Sequence, residues 1–346
     1  MHNSASSFVQ SSRSAAASVP TAARLLPPAG LFLAAPLVAE YLLGNMSIAH
    51  LGILAVLAPL YGGAALLIRE AARRTGRGWG SVFLLALAYG VLEEAFLTQS
   101  LFNPDYLGQH LHLLAPAPLP ALGMGARYTV FVLTLHTVWS IPVPIALVEA
   151  LAPARARAPW LSKTGIAIVA VAFAAASWAL ARFSVRADAQ HFVASPQQFI
   201  GAGFFLLVLV LAAFMRRGRK GATSPGRQSR PLVQGLVAFV LGSVFLLIPG
   251  SWAWGAVLAY LLLDMVAIFL LVSWSRTRTW SAIDRLSVAA GAAMAYAGHA
   301  FFEIPSLGDA GAATRLGNLF FALLALAVVA AGAGRTGRHA ARAQQA

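Results

Sequence analysis

The chain has no cysteine among its 346 residues, so disulfide bridges and thiolate metal sites are excluded and no redox compartment can be inferred. Charge is scarce as well: charged residues make up 10% of the chain, apolar residues 59%, and the mean hydropathy is +0.74. A soluble protein needs far more charge on its exterior than this. The composition therefore predicts an all-α, polytopic transmembrane helical bundle, and we expect one transmembrane domain.

Acidic residues are also few, with 11 Asp and Glu against 25 Lys and Arg, and the net charge is +14. The basic residues lie in short clusters between apolar runs, which is typical of membrane topology, so we expect no nucleic-acid partner. Ten runs come close to the roughly 20 residues that a spanning helix requires, and they predict about ten spanning helices. They are residues 29–44, 51–67, 79–101, 128–151, 166–183, 199–215, 232–248, 254–272, 286–304 and 316–332.

The distribution of basic residues predicts the orientation of the bundle. Of the 25 Lys and Arg, 21 fall in alternate segments that begin with the amino-terminal tail. The positive-inside rule then places both termini in the cytoplasm, in a multi-pass protein of the plasma or inner membrane. We expect a disordered cytoplasmic tail over residues 1–26, the transmembrane domain over 27–334, and a basic cytoplasmic tail over 335–346. Anionic lipid at the cytoplasmic face is the expected partner of these basic clusters.

The run 79–101 carries two adjacent carboxylates, Glu93 and Glu94. An acid at the centre of a membrane helix costs about 2.5 to 3.5 kcal/mol, so such residues usually face a protein interior or a wet cavity. Neighbouring residues on a helix differ by about 100° in direction. We therefore expect one glutamate to face a shared cavity and the other to meet a neighbouring helix, without ranking them.

Further polar residues are predicted at a similar depth in the outer half of the membrane. His136 and Ser140 stack one helical turn apart, and Tyr296, His299 and Glu303 form one stripe on the ninth helix. Pro142 and Pro144 remove backbone donors just below His136, which favours a cavity. The predicted catalytic residues are Glu93, Glu94, His136 and His299, and the predicted supporting residues are Glu303, Asp264, Gln99, Tyr296, Ser140 and Glu40.

Four chemistries fit this set of residues. One is a divalent-metal site, for an ion such as zinc, with His136, His299 and Glu93 as ligands. A second is a general acid/base pair that activates water. A third is a proton relay or cation site of a transporter, and a fourth is a polar network that only joins helices. Ser140 beside His136 resembles a serine nucleophile, but one helical turn is a poor arrangement for activation and the sequence shows no orienting acid.

The order of these residues resembles the CAAX protease and bacteriocin-processing (CPBP) family of intramembrane proteases, whose patterns are EExxxR, FxxxH and HxxxN or HxxxD. Here Thr98 stands at the Arg position, Val132 at the Phe position, and Glu303 at the last position. The resemblance implies hydrolysis of a membrane peptide, with Glu93 or Glu94 as the base that activates water and the two histidines binding or polarising the scissile carbonyl. The first half of the chain is also similar to uncharacterised bacterial integral membrane proteins, a resemblance that implies no activity.

Overall fold

The computed structural model describes residues 21–106, 112–187, 191–215, 230–277, 280–307 and 309–345. Ten helices follow one another in this part of the chain, one for each apolar run, so the predicted all-α architecture is confirmed. They are α1 (Thr21–Pro36), α2 (Ile48–Arg74), α3 (Trp79–Leu97), α4 (Ala126–Leu151), α5 (Lys163–Ala187), α6 (Pro196–Met215), α7 (Pro231–Leu247), α8 (Trp254–Ser275), α9 (Ala282–His299) and α10 (Ala312–Gln345). A short antiparallel pair, β1 (Pro118–Leu119) and β2 (Met124–Gly125), precedes α4.

Seven of these helices are long and apolar enough to cross a membrane: α2 to α6, α8 and α10. The helix α7 is apolar but shorter. At the amino terminus, α1 begins at Thr21, inside the segment 1–26 that the sequence predicts to be disordered, and residues 1–20 lie outside the described residues. At the other end, α10 continues as one helix through residues 335–345 of the predicted basic tail.

Burial separates the central helices of the bundle from those at its periphery. In the most apolar stretches of α3 and α4, 61% and 67% of the residues are buried, whereas the value for α5 is 6%. Exposed apolar side chains cover α5, α6, α7 and α8, as expected for helices that face lipid. Glu93 and Glu94 of α3 and His136 and Ser140 of α4 are among the buried residues of these two helices.

Glycines allow several helices to cross at close range. A Cβ atom added at Gly62 of α2 would lie 2.0 Å from the carbonyl oxygen of Phe32 in α1, and one added at Gly291 of α9 would lie 2.0 Å from that of Gly235 in α7. Only glycine permits backbones to approach this closely, which is how small residues mediate helix packing in membranes. Gly90 of α3 likewise allows α4 to pack closely against α3, because a Cβ added at Gly90 would lie 2.9 Å from the Cβ of His136.

A buried ion-pair network joins the predicted cytoplasmic ends of α2 and α4. Arg69, which is fully buried, donates to Glu149 at 2.9 Å and also pairs with Glu70, while Arg73 donates to both oxygens of Glu149. The guanidinium of Arg69 also lies 3.2 Å from the ring centroid of Trp160. Both glutamates thus form ion pairs with arginines of α2. The network closes this end of the interface between α2 and α4.

Candidate functional site

Four π-helical segments interrupt the first four helices in the described part of the chain. Leu37–Tyr41 continues α1, Ala58–Gly62 lies within α2, Glu93–Leu97 ends α3, and His136–Ser140 lies within α4. In a π-helix the backbone hydrogen bonds join residues five apart instead of four, and here the N–H of Thr98 donates to the carbonyl of Glu93. Well under 1% of residues adopt this conformation, and it occurs frequently at functional sites. Proline accompanies three of the segments, since Pro36 precedes the first, Pro59 lies in the second and Pro142 follows the fourth.

The π-helical segments of α3 and α4 bring two carboxylates and one imidazole together. His136 Nε2 lies 2.9 Å from Glu94 Oε1, and His136 Nδ1 lies 3.4 Å from Glu93 Oε2. All three residues are buried, with exposed fractions of 3% for Glu93, 6% for Glu94 and 5% for His136. The expectation that only one glutamate would face the shared site is therefore corrected. The imidazole contacts both carboxylates, each through a different nitrogen, and of these two contacts the one to Glu94 has hydrogen-bond geometry.

The two glutamates differ in their hydrogen bonds. Glu94 Oε2 accepts hydrogen bonds from Thr98 Oγ1 at 3.0 Å and from Ser100 Oγ, and Tyr128 OH approaches it at 3.4 Å. Glu93 Oε2, by contrast, has no hydrogen bond of ordinary distance and angle among the described residues. Glu94 thus has the surroundings of a permanent carboxylate, whereas Glu93 has an oxygen left over for a proton or another cation.

Aromatic rings surround the imidazole and connect it to a third buried acid. The ring of Tyr61 stacks on His136 with centroids 6.1 Å apart, and that of Tyr89 meets His136 edge-on at 5.8 Å. Tyr61 OH donates to Glu40 Oε1 at 2.5 Å. Tyr89 OH lies beside Glu93 but, like Glu93 Oε2, it forms no hydrogen bond of ordinary geometry with a described residue. Two adjacent buried polar atoms without partners indicate a place where water or a cation binds.

The other residues predicted for the site lie outside this group of three. His299 Nε2 lies 2.9 Å from Glu303 Oε2, and both side chains are partly exposed. Tyr296 stacks on Trp139 with centroids 4.5 Å apart. The remaining supporting residues are likewise paired: Asp264 accepts from Thr134, Gln99 accepts from the backbone of Ala194, and Ser140 Oγ lies 3.1 Å from His136 Nδ1.

Several residues of the site were not predicted from the sequence. Tyr61, Tyr89 and Tyr128 lie in apolar runs, where a tyrosine is normally taken for packing, and Thr98 and Ser100 lie at the end of a helix, where hydroxyls are common. The available signal was spacing, because Tyr89 precedes Glu93 by four residues and Thr98 follows Glu94 by four. Tyr106, in the loop after α3, lies near the same acid. Its burial, together with the charge of Glu94, raises the pKa of this phenol above its ordinary value.

A divalent metal ion has three candidate ligands here. One oxygen of Glu93, one oxygen of Glu94 and one nitrogen of His136 all lie within 4.8 Å of one another. Both nitrogens of His136 already have polar neighbours in the protein, Glu94 at one and Ser140 with Glu93 at the other. A metal ion would have to displace one of these contacts, whereas a proton on each nitrogen leaves all of them in place.

Comparison with known proteins agrees with the membrane architecture. Residues 31–341 match the sequence model of a family described as an uncharacterised membrane protein family. No curated protein and no solved structure matches the chain. The match covers α2 to α9 wholly, most of α10 and the end of α1, and it gives no link to the CPBP proteases. The chain therefore belongs to this uncharacterised membrane protein family.

Proposed function

We propose that the protein moves protons across the membrane and that Glu93, His136 and Glu94 form its proton-binding site. The observation that carries this proposal is the contact of one buried imidazole with two buried carboxylates: a hydrogen bond to Glu94 at 2.9 Å and an approach of 3.4 Å to Glu93. In an imidazolium the Nε2–H donates to Glu94, and the Nδ1–H lies next to Ser140 Oγ and Glu93 Oε2, so the arrangement fits a protonated His136. Ionisable residues within membrane proteins commonly mark proton relays.

Charge balance identifies the residue whose protonation changes. With His136 protonated and both glutamates ionised, the group has one net negative charge, which is costly in a site this deeply buried. One further proton makes the group neutral. Glu94 already receives several hydrogen bonds, so the additional proton belongs on Glu93, where Oε2 has no donor. Glu93 is therefore the residue that gains and loses a proton during transport.

Proton flux into liposomes tests this proposal. The purified protein is reconstituted with a pH-sensitive dye inside the vesicles, and a membrane potential drives protons inward. We expect faster acidification than in empty liposomes, and loss of the excess rate in Glu93→Gln. Asp264→Asn is the matched control, because Asp264 is a membrane carboxylate bonded to Thr134 outside the group. Equal rates in the wild type and Glu93→Gln would contradict the proposal, as would the absence of any excess flux.

A hydrolase, such as the CPBP-like protease that the sequence resembles, is the second candidate. One observation favours it: Ser140, His136 and Glu94 are hydrogen-bonded in the order of nucleophile, base and acid. The acid that the sequence did not reveal is thus supplied by a neighbouring helix. A transmembrane peptide incubated with the protein in micelles tests this function. Cleavage that disappears in Ser140→Ala would favour it, and intact peptide would exclude it for that substrate.

The proposal includes a location in the plasma or inner membrane, with both termini cytoplasmic. The lack of cysteine makes this testable, because a single introduced cysteine is the only thiol in the protein. Ser306→Cys, in the loop after α9, and Gln345→Cys, at the end of α10, are both exposed positions. In intact cells, a membrane-impermeant thiol reagent should label the first and not the second. Labelling in the reverse order would place the site near the opposite face.

A further inference from the structure

We infer that Glu40 is the proton-entry residue of this site and that Tyr61 passes the proton between Glu40 and Glu93. This inference rests on the proposed function and identifies the route by which the site exchanges protons with one membrane face. It starts from a buried acid that the site described above does not use. Glu40 is 9% exposed, and it has no ion pair among the described residues.

The surroundings of Glu40 lead outward to solvent. Its Oε2 accepts a hydrogen bond from Asn45 Nδ2 at 2.5 Å, and Asn45 Oδ1 accepts one from Ser306 Oγ at 2.5 Å. Ser306 is exposed and also donates its backbone N–H to the carbonyl of Asn45. The loop after α9 therefore holds Asn45 against Glu40 at the rim of the bundle. A carboxylate at this depth, one side chain away from solvent, can take up a proton from water.

The other carboxylate oxygen of Glu40, Oε1, contacts the interior of the bundle through Tyr61. Tyr61 OH donates to Glu40 Oε1, and the ring of Tyr61 packs on His136, whose Nδ1 lies 3.4 Å from Glu93 Oε2. The ring is fixed in this position by stacking on His136 and by its edge contact with Tyr89. Tyr61 is 4% exposed, so water does not compete for its hydroxyl. Both acids and the tyrosine lie in or next to π-helical segments, which aim the three side chains at one another.

The transfer is balanced in protons and needs no other reactant. A proton from water first binds Glu40. The O–H of Tyr61, which donates to Glu40 in the structure, then turns toward Glu93, and the protonated carboxyl of Glu40 donates to the oxygen of Tyr61. The O–H bond of Glu40 breaks as a new one forms on Tyr61, while the original O–H bond of Tyr61 breaks and its proton binds Glu93. Tyr61 is neutral before and after the step. Glu93 becomes neutral and Glu40 returns to the carboxylate, ready for the next proton.

Exchange of the Glu93 proton for deuterium tests the route in the full-length protein. Protonated carboxyl groups give a separate carbonyl band in the infrared spectrum, and this band shifts when the proton is replaced by deuterium. We expect Glu93→Gln to remove the band. We expect Glu40→Gln and Tyr61→Phe to keep it but to slow its shift after transfer to ²H₂O by about 100-fold, the lower end of what a positioned proton-transfer group contributes.

Two matched variants control for general effects. Tyr41→Phe removes the hydroxyl of a buried tyrosine next to Glu40 that donates to the backbone of His50 instead. Glu303→Gln removes another acid near the same face, which pairs with His299. Both should exchange at the wild-type rate. If Glu93→Gln removes the band but Glu40→Gln and Tyr61→Phe exchange as fast as the wild type, the entry route is wrong and the proton site stands. If no band depends on Glu93, both proposals fail.

Discussion

The unequal surroundings of Glu93 and Glu94 predict unequal costs when each is replaced by glutamine. Glutamine keeps the size of the side chain but cannot carry the charge. At Glu94, the charged hydrogen bond to His136 at 2.9 Å is lost, and such bonds contribute about 1.5 to 3 kcal/mol. The hydroxyls of Thr98 and Ser100 can rotate and accept from the new amide, so they add less. We therefore expect Glu94→Gln to lower the free energy of unfolding by about 3 kcal/mol, the upper end of this range, because the hydrogen bond is buried.

Glu93→Gln should cost less than about 1 kcal/mol, because a neutral amide resembles the protonated glutamic acid that we propose at this position. The free energies are measured by unfolding the purified protein in mixed micelles with increasing SDS, followed by circular dichroism. A cost for Glu93→Gln equal to or larger than that for Glu94→Gln would refute the assignment of the permanent charge to Glu94. The size of the two side chains is the same, so packing does not explain a difference.

Two further substitutions test other parts of the structure. Gly90→Ala should move His136 away from α3 and abolish proton flux in liposomes, because the added Cβ would lie 2.9 Å from that of His136, whereas Gly78→Ala, with no atom near its added Cβ, should keep the flux. Glu149→Gln removes the carboxylate shared by the fully buried Arg69 and the partly buried Arg73, and it should lower the free energy of unfolding in SDS by about 3 to 5 kcal/mol. Glu303 is partly exposed, so Glu303→Gln should lower the free energy of unfolding by less than about 1 kcal/mol. Equal decreases for Glu149→Gln and Glu303→Gln would contradict the stabilising role of the ion-pair network.

The helices were predictable because the sequence contains one apolar run for each of them. A run of about 20 apolar residues has few alternatives to a helix in a membrane, so local composition is sufficient. The start of α1 at Thr21 was not predicted, since the first turns lie among small and polar residues that resemble a tail. The convergence of α3 and α4 followed from depth alone, because Glu93, Glu94 and His136 occupy similar levels.

The details of the site depend on packing between helices, which sequence spacing does not specify. The angle between adjacent residues of an α-helix suggested that one glutamate would face the site, but the ring of His136 is long enough to meet both. The π-helical segments depend on where proline and neighbouring helices disturb the regular hydrogen bonds. His299 pairs with Glu303, and this pairing depends on the rotamers of the two side chains. Their predicted depth is similar to that of the site residues, so depth alone did not show that they lie outside the group of three.

The π-helical segments also make the site sensitive to the length of the chain. In such a segment each backbone hydrogen bond spans five residues instead of four, so one residue is accommodated beyond the number that a regular helix would hold. Deleting Val138 from His136–Ser140, which lies within α4, would allow regular winding and turn the part of α4 that ends at His136 by about 100° relative to the part that follows. Every acid and histidine would remain in the sequence, yet His136 and Glu149 of α4 could no longer both face their partners. The presence of these residue types in a homologous sequence would thus not show that its site is intact. A one-residue gap in any of the four segments would be as informative as a substitution of Glu93.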